Sequence, residues 1–353
     1  MKDSRKLVEQ ACNGIRPERT PFYDCYRNDA VIEHFAGKEL DGTDDENVAI
    51  LAAANGLDAT RMILAPFEDG QTWTDDMGNT RQAARWTNWI TKHAITSTAA
   101  WAEWIKKEIE HIESTPSPTE QQIAQEKQRQ LDYNSKLNDT VNIHCTPETN
   151  FNKIVFGYRC GLEHFSFLWF DHRDLIMHWI RAIEKQQLDY IALTASKETS
   201  PLVLIYSDMA YNNGLMMSKD DFKEMGFFDN VEKICDTCHK KDMKVIFHSD
   251  GYMMDIMSDL VAAGIDGFNP IDITAGMDVY LLREKYPELI LAGGVDVNAL
   301  LLNGTVEQIR SETRKMIEQT GAEGRLLIGS TTEVDDSIPL ENYMAFYNEA
   351  LQS

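Results

Sequence analysis

The sequence predicts an α/β protein folded as a (β/α)8 TIM barrel with N-terminal helical elaborations, on three observations. Short apolar runs alternate with helical patterns at spacings of roughly 20 to 40 residues, as the βα units of a parallel sheet do. Each run leaves its strand into a polar residue, and in a closed barrel all strand C-termini open on one face, where residues distant in sequence meet. Finally, the chain carries neither GxGxxG nor a Walker sequence, the phosphate loop that an open doubly wound sheet would place beside its ligand. AGGVD (292–296) comes nearest and is too short.

Taken in order, the strands are TPFYDCYR (20–27), ATRMILAPF (59–67), VNIHC (141–145), LVLIYSD (202–208), KVIFHSD (244–250), GFNPID (267–272), LILAGG (289–294) and RLLIGS (325–330). Helix limits are clearest in the second half. Ser218 with Asp221 makes a capping-box-like start, Gly264 closes MDIMSDLVAAG, and Thr305 opens VEQIRSETRKMIEQT, which stops at Gly321. In the first half FGYRCGLEHFSFLWF (156–170) leads into the helix DLIMHWIRAIEKQQ, and the polar segment 114–140 reads as an exposed helix or a hinged flap. The whole chain, 1–353, is expected to form one domain.

Composition bounds the function. The formal charge of -23, from 57 acidic against 34 basic residues, argues against nucleic acid, whose binding relies on Lys and Arg neutralising phosphates. No apolar stretch is long enough for a membrane span and the start lacks a signal peptide's apolar core, so a cytoplasmic protein without membrane contact is expected. The six cysteines show no disulfide-framework spacing.

One motif needs separating from its neighbours. CDTCH (235–239) matches the c-type haem attachment sequence, but Val231, Ile234, Cys235 and Cys238 fall at i, i+3, i+4 and i+7. That is the apolar stripe of a helix packed on a barrel, with both thiols turned to the core and His239 at the solvent edge. His248 is different. In VIFHSDG, Ile246 and His248 share one side of the strand, and His248 ends it, followed by Asp250 in the turn. Such a pair at a barrel mouth can hold a metal, relay a proton or bind a polar substrate. Asp208, Asp272, Asp296 and Glu333 end other strands and are further candidates, although Asp is also the ordinary residue of turns and helix N-caps.

DMAYNNGLMMSKDDF (208–222), KVIFHSDGYMMDIMSDLVAAGIDGFNPID (244–272), AGMDVYLLREKYPELILAGGVDVNALLLNGTVEQI (275–309) and IPLENYMAF (338–346) resemble the uroporphyrinogen decarboxylase superfamily. These are (β/α)8 barrels that include the porphyrinogen decarboxylase and cobalamin-dependent methyltransferases. The likeness is looser in the first half, in RPERTPFYDCY, TDDMGNT and CGLEHFSFLWFDHRDLIMHWI. Two departures matter. Where the decarboxylase has several substrate-binding arginines, this chain reads TPFYDCYRNDA with Arg27 alone; and where methyltransferases acting on coenzyme M carry HxC and a later Cys for zinc, it reads His248-Ser249-Asp250 and Ser330-Thr331-Thr332-Glu333.

The resemblance therefore implies a methyltransferase that passes a methyl group from a small donor, a methoxylated aromatic or a methylamine, to a corrinoid on a separate corrinoid protein. His248, Asp250, Asp208 and Tyr211 are its expected catalytic groups. Asn269, Asp272, Asp296 and Trp73 are expected to bind substrate, with Trp86, Trp89, Trp101 and Trp104 as further stacking walls, Trp101 and Trp104 reading rather as core. A zinc ion would be held by His248, Asp250 and Glu333. A homodimer is compatible with this reading. The alternatives are a cofactor-free decarboxylase of a uroporphyrinogen-like or other carboxylated compound, and a barrel that only binds.

Overall fold

In the computed structural model, which describes residues 3–146 and 148–352, eight parallel strands close on themselves. Tyr23–Asp24 pairs with Ala59–Thr60, which pairs with Val141–Asn142, whose continuation His144–Cys145 pairs with Leu202–Tyr206. From there Lys244–His248, Gly267–Asn269, Ile290–Val295 and Leu326–Ser330 follow in chain order. A parallel bridge between Phe22 and Ile328 joins the eighth strand to the first. All eight predicted strands are present; the third and seventh keep their predicted length, the seventh shifted by one residue to Ile290–Val295, and the others are shorter than their apolar runs. The second shrinks most, from 59–67 to Ala59–Thr60.

Alternation along each strand sorts side chains between two cores. Tyr23, Ala59, Val141, Ile143, Leu202, Leu204, Ile246, Ile290, Ala292 and Leu327 fill the barrel axis, while Val203, Ile205, Val245, Phe247 and Phe268 face the helices. At the N-terminal end Val8, Ala11 and Cys12 of the helix Ser4–Cys12 join the axial cluster and stopper the barrel. The backbone N–H of Arg325 donates to Ala11 O at 2.7 Å, fixing that stopper to the start of the eighth strand. Because Ile246 points to the axis, His248 two residues on does so as well, one layer higher.

The helix limits follow their caps. Thr305 and Gln308 form a full capping box at the start of Val306–Thr320, and Ser218 accepts from the Asp221 N–H at the start of Lys219–Glu224. Phe227–His239 buries Val231, Ile234, Cys235 and Cys238 against the barrel. Burial pushes both thiols up, Cys238 to about 12, so neither offers a thiolate, and His239 instead meets Asp266 at 2.7 Å.

Segment 114–140 contains the helix Glu120–Asn134, opened by a Thr119–Gln122 capping box and with no buried residue. Lys127 pairs with Glu198, and Asn134 Nδ2 donates to Thr199 O at 2.7 Å, so the helix lies against the body. One feature departs from expectation. Residues 72–92 form an antiparallel sheet, Thr72–Thr74, Thr80–Ala84 and Thr87–Lys92, docked on the helix Asp29–Ala36 by an Arg85–Asp29 ion pair of 2.9 Å. Among the described residues no helix is long and apolar enough to cross a membrane.

Candidate functional site at the barrel mouth

At the C-terminal end of the axis, Asp208, His248 and Asp250 converge, with one ligand atom from each within 4.8 Å of the others. Backbone contacts between the loops after the fourth and fifth strands bring them together. Ser207 N–H donates to His248 O at 2.9 Å, and Tyr252 N–H to Tyr211 O at 3.0 Å. Gly251 sits at φ 88°, and a Cβ there would lie 2.7 Å from the Ala210 backbone, so the two loops approach as closely as only glycine permits.

His248 is 4 % exposed and its tautomer is set by its neighbour. Asn269 Nδ2 donates to Ala292 O at 2.9 Å, which turns Asn269 Oδ1 toward His248 Nδ1 at 2.6 Å and makes that nitrogen the N–H. The other nitrogen, Nε2, then presents its lone pair toward Asp208 Oδ1 at 3.7 Å. Burial, reinforced by the nearby Arg61 charge, pulls the imidazole down to about 4, so it is neutral at neutral pH. Among the described residues Asp208 Oδ1, itself buried, has no hydrogen-bond partner.

Asp250 reaches solvent but stands in a recess ringed by acids. Enclosure by protein, then repulsion from Asp208, Glu333 and Asp272, raises it to about 7. Glu333 lies across the mouth. Burial pushes its carboxyl up, but Arg61, the Thr332 hydroxyl and Arg27 outweigh that and hold it below its ordinary value.

Several predicted site residues stand elsewhere. Glu333 is not within the three-donor cluster and pairs with Arg61 at 3.5 Å. Asp272 spends its oxygens on Gly251 N–H, Ala275 N–H and the Thr274 hydroxyl, and so ties the fifth loop to the sixth. Asp296 caps Val297–Leu301 through the N–H groups of Asn298 and Ala299. Both carboxylates are occupied by backbone donors, the ordinary work of Asp at a helix start. Tyr211, 52 % exposed, lies in the two-stranded hairpin Ala210–Tyr211 and Gly214–Leu215, its ring outside the buried cluster. Trp73 belongs to the antiparallel sheet, its ring stacked on Phe67 at 5.9 Å, and is not part of the His248 cluster. Trp101 is buried with Trp104 at 5.4 Å, and Trp104 meets Trp179 at 5.9 Å, so this pair is core. Trp86 donates to Asp29, and Trp89 stands exposed on the sheet.

One residue escaped the sequence reading. Arg61, just past the second strand, is 2 % exposed and spans the floor of the mouth. Its Nε donates to the Tyr23 hydroxyl at 2.8 Å, and its guanidinium lies 5.1 Å from the centre of the Tyr206 ring, which in turn lies 4.4 Å from His248. Its position two residues after the inward Ala59 follows the rule that places His248, but that rule separates it from a surface arginine only once the strands have closed.

A closed parallel barrel with imidazole and carboxylates gathered at its C-terminal mouth belongs to the class in which that face carries the chemistry. The family model for uroporphyrinogen decarboxylase (URO-D) matches residues 160–352, more than half of the chain, and the protein belongs to that family. Its fold is also that of a solved structure, a methyltransferase from Methanosarcina mazei, with a TM-score of 0.64 over 100 % of this chain and 99 % of that one at 16 % identity. No curated protein matches the chain.

Proposed function

We propose that this barrel is a methyltransferase that passes a methyl group from a small donor, of the methoxylated aromatic or methylamine type, to a corrinoid on a partner protein. The observation that carries the reading is the convergence of His248, Asp208 and Asp250 around one point at the open end of the axis. Breaking a carbon–oxygen or carbon–nitrogen bond to methyl leaves behind a poor leaving group, which needs a proton or a cation at the heteroatom as the bond breaks. The corrinoid, when bound, supplies the nucleophile that accepts the methyl group.

The chain's own residues would hold the donor and care for the leaving atom. Asn269 fixes the His248 ring, so that Nε2 keeps one direction, and Asp208 Oδ1, without a partner among the described residues, would accept the N–H of a methylammonium donor. Asp250, on the solvent side of the same point, is placed to deliver a proton to the departing oxygen or nitrogen.

The three residues also fit a zinc ion. A neutral imidazole nitrogen and two carboxylates are acceptable zinc ligands, three protein ligands leave a position for substrate, and Asn269 supplies the orienting partner that metal-bound histidines use. Zinc held there by His248, Asp208 and Asp250 would supply Lewis-acid polarisation of the leaving atom. Decarboxylation of a polycarboxylate fits less well, because Asp208, Asp250 and Asp272 line one side of the mouth and repel further negative charge.

The test is incubation of the protein with a reduced corrinoid protein and a panel of methoxylated aromatics and methylamines, following corrinoid absorbance. A donor-dependent absorbance change, lost in His248→Ala, is expected. Silence across the panel, together with release of carbon dioxide from uroporphyrinogen, would replace this reading by the decarboxylase.

A further inference from the structure

Between the third strand and the helix Glu120–Asn134 lies a cleft of about 280 Å³, below the usual size of a site for a drug-sized ligand and sufficient for a single ring. It is separate from the His248 cluster, none of whose residues lines it. Strand alternation turns Ile143 and Cys145 to the axis, so His144 between them faces outward into the cleft. The neighbours of His144 set its tautomer. The one hydroxyl hydrogen of Thr194 goes to Tyr190 O at 2.8 Å, so Thr194 Oγ1 accepts from His144 Nε2 at 3.0 Å, and Nδ1 keeps a lone pair. Burial, against the pull of Glu126, brings this imidazole down to about 4, and the lone pair is present at neutral pH. The Tyr133 and Tyr190 hydroxyls belong to the same cleft. Among the described residues neither hydroxyl nor His144 Nδ1 has a partner, and protein seals neither Nδ1 nor the Tyr133 hydroxyl.

The rest of the lining narrows the ligand. Its charges are spent on each other, Arg129 holding Glu126 through two hydrogen bonds of 2.8 and 2.7 Å. Asn134 is taken up by Thr199 O and Asn142 Nδ2. The lip is apolar, made by Ile63 and by Met62, which is held at φ 46°, a strain that a residue with a side chain seldom bears away from a functional site. We infer that the cleft binds a neutral phenol, whose O–H donates to His144 Nδ1, whose oxygen accepts from a tyrosine hydroxyl, and whose ring lies against Met62. A charged ligand would find no unspent counter-charge here, and an ether lacks the hydrogen that Nδ1 accepts. The inference is independent of the methyl-transfer reading and concerns a second site.

Calorimetric titration of the full chain compares phenol with anisole, which keeps the ring and the oxygen but lacks the donated hydrogen. Both probes are titrated into the native chain and into His248→Ala, which separates the cleft from the mouth. In His248→Ala phenol is expected to bind at least about tenfold more tightly than anisole. His144→Phe should remove that preference, and Tyr133→Phe should weaken phenol several-fold. Equal binding of the two probes in His248→Ala, or no phenol binding at all, would overturn the inference. So would a phenol site lost in His248→Ala and kept in His144→Phe, which would assign phenol to the mouth. If His144→Phe does not fold, the double variant Tyr133→Phe with Tyr190→Phe decides, since it removes both hydroxyls that meet the phenol oxygen. Phenol affinity unchanged in that variant would sink the cleft assignment.

Discussion

His248 shows how a single side chain is prepared before any ligand is present. Its Nδ1–H is committed to Asn269, and Asn269 cannot flip because its amide donates to Ala292 O. Asn269→Ala should therefore lower activity about 10- to 100-fold, the usual effect of removing an orienting partner, with a smaller change in thermal midpoint. His248→Ala should cost about 10²- to 10⁴-fold in kcat. Asp24 is a contrasting case, a fully buried carboxyl lifted to about 7 by burial against the hydrogen bonds of Ser330, Cys25 and Tyr343. Its folded value exceeds its unfolded one, so between about pH 4 and 7 the native state holds a proton that the unfolded chain has lost. That stability is fully present below about pH 4 and disappears as pH rises through 7, with a slope of at most about 1.4 kcal/mol per pH unit. Asp24→Asn should flatten this stretch of the curve in denaturant titrations at a series of pH values. A slope unchanged in the variant would assign it to other groups.

Among elements, the loops after the fourth and fifth strands decide whether the site exists. Gly251→Ala forces a residue with a Cβ into φ 88° and against the Ala210 backbone, which should cost about 1–2 kcal/mol and pull Asp250 out of register. Activity should fall more than stability does, and the reverse order would show that the loop contact is not what aligns the cluster. Caps and strands of this kind were legible in the sequence because each rests on a local rule. Thr305 with Gln308, Ser218, and the inward parity of Ile246 and His248 need no tertiary information. The antiparallel sheet at 72–92 was hidden because its strands are short, polar and half-exposed, with no run of apolar residues to mark them. Asp272 and Asp296 were unreadable for another reason. An Asp at a strand end looks the same whether it meets a substrate or a helix N–H, and only the partners tell them apart.

At the scale of the molecule, the axial core holds the mouth in place. Leu204→Ala would open a cavity beside Ile246 and Ile143, one layer below the mouth, and should cost about 2–5 kcal/mol in equilibrium unfolding. The barrel itself was legible from strand spacing, and the polar strand ends correctly indicated which end carries the titratable groups. Arg61 was not, because nothing in ATRMIL separates a floor arginine from a surface one until the eight strands close and its register turns it inward.

The helix Ser4–Cys12 closes one end of a cylinder already filled with side chains, which makes the opposite end a blind well. Traffic through a well is single file. On the methyl-transfer proposal, a small donor would have to be seated before a large carrier settles over the rim, and the demethylated remnant would have to wait beneath it until the carrier lifts away. Initial-rate patterns should accordingly show compulsory loading order, with the remnant competing against fresh donor and not against the carrier.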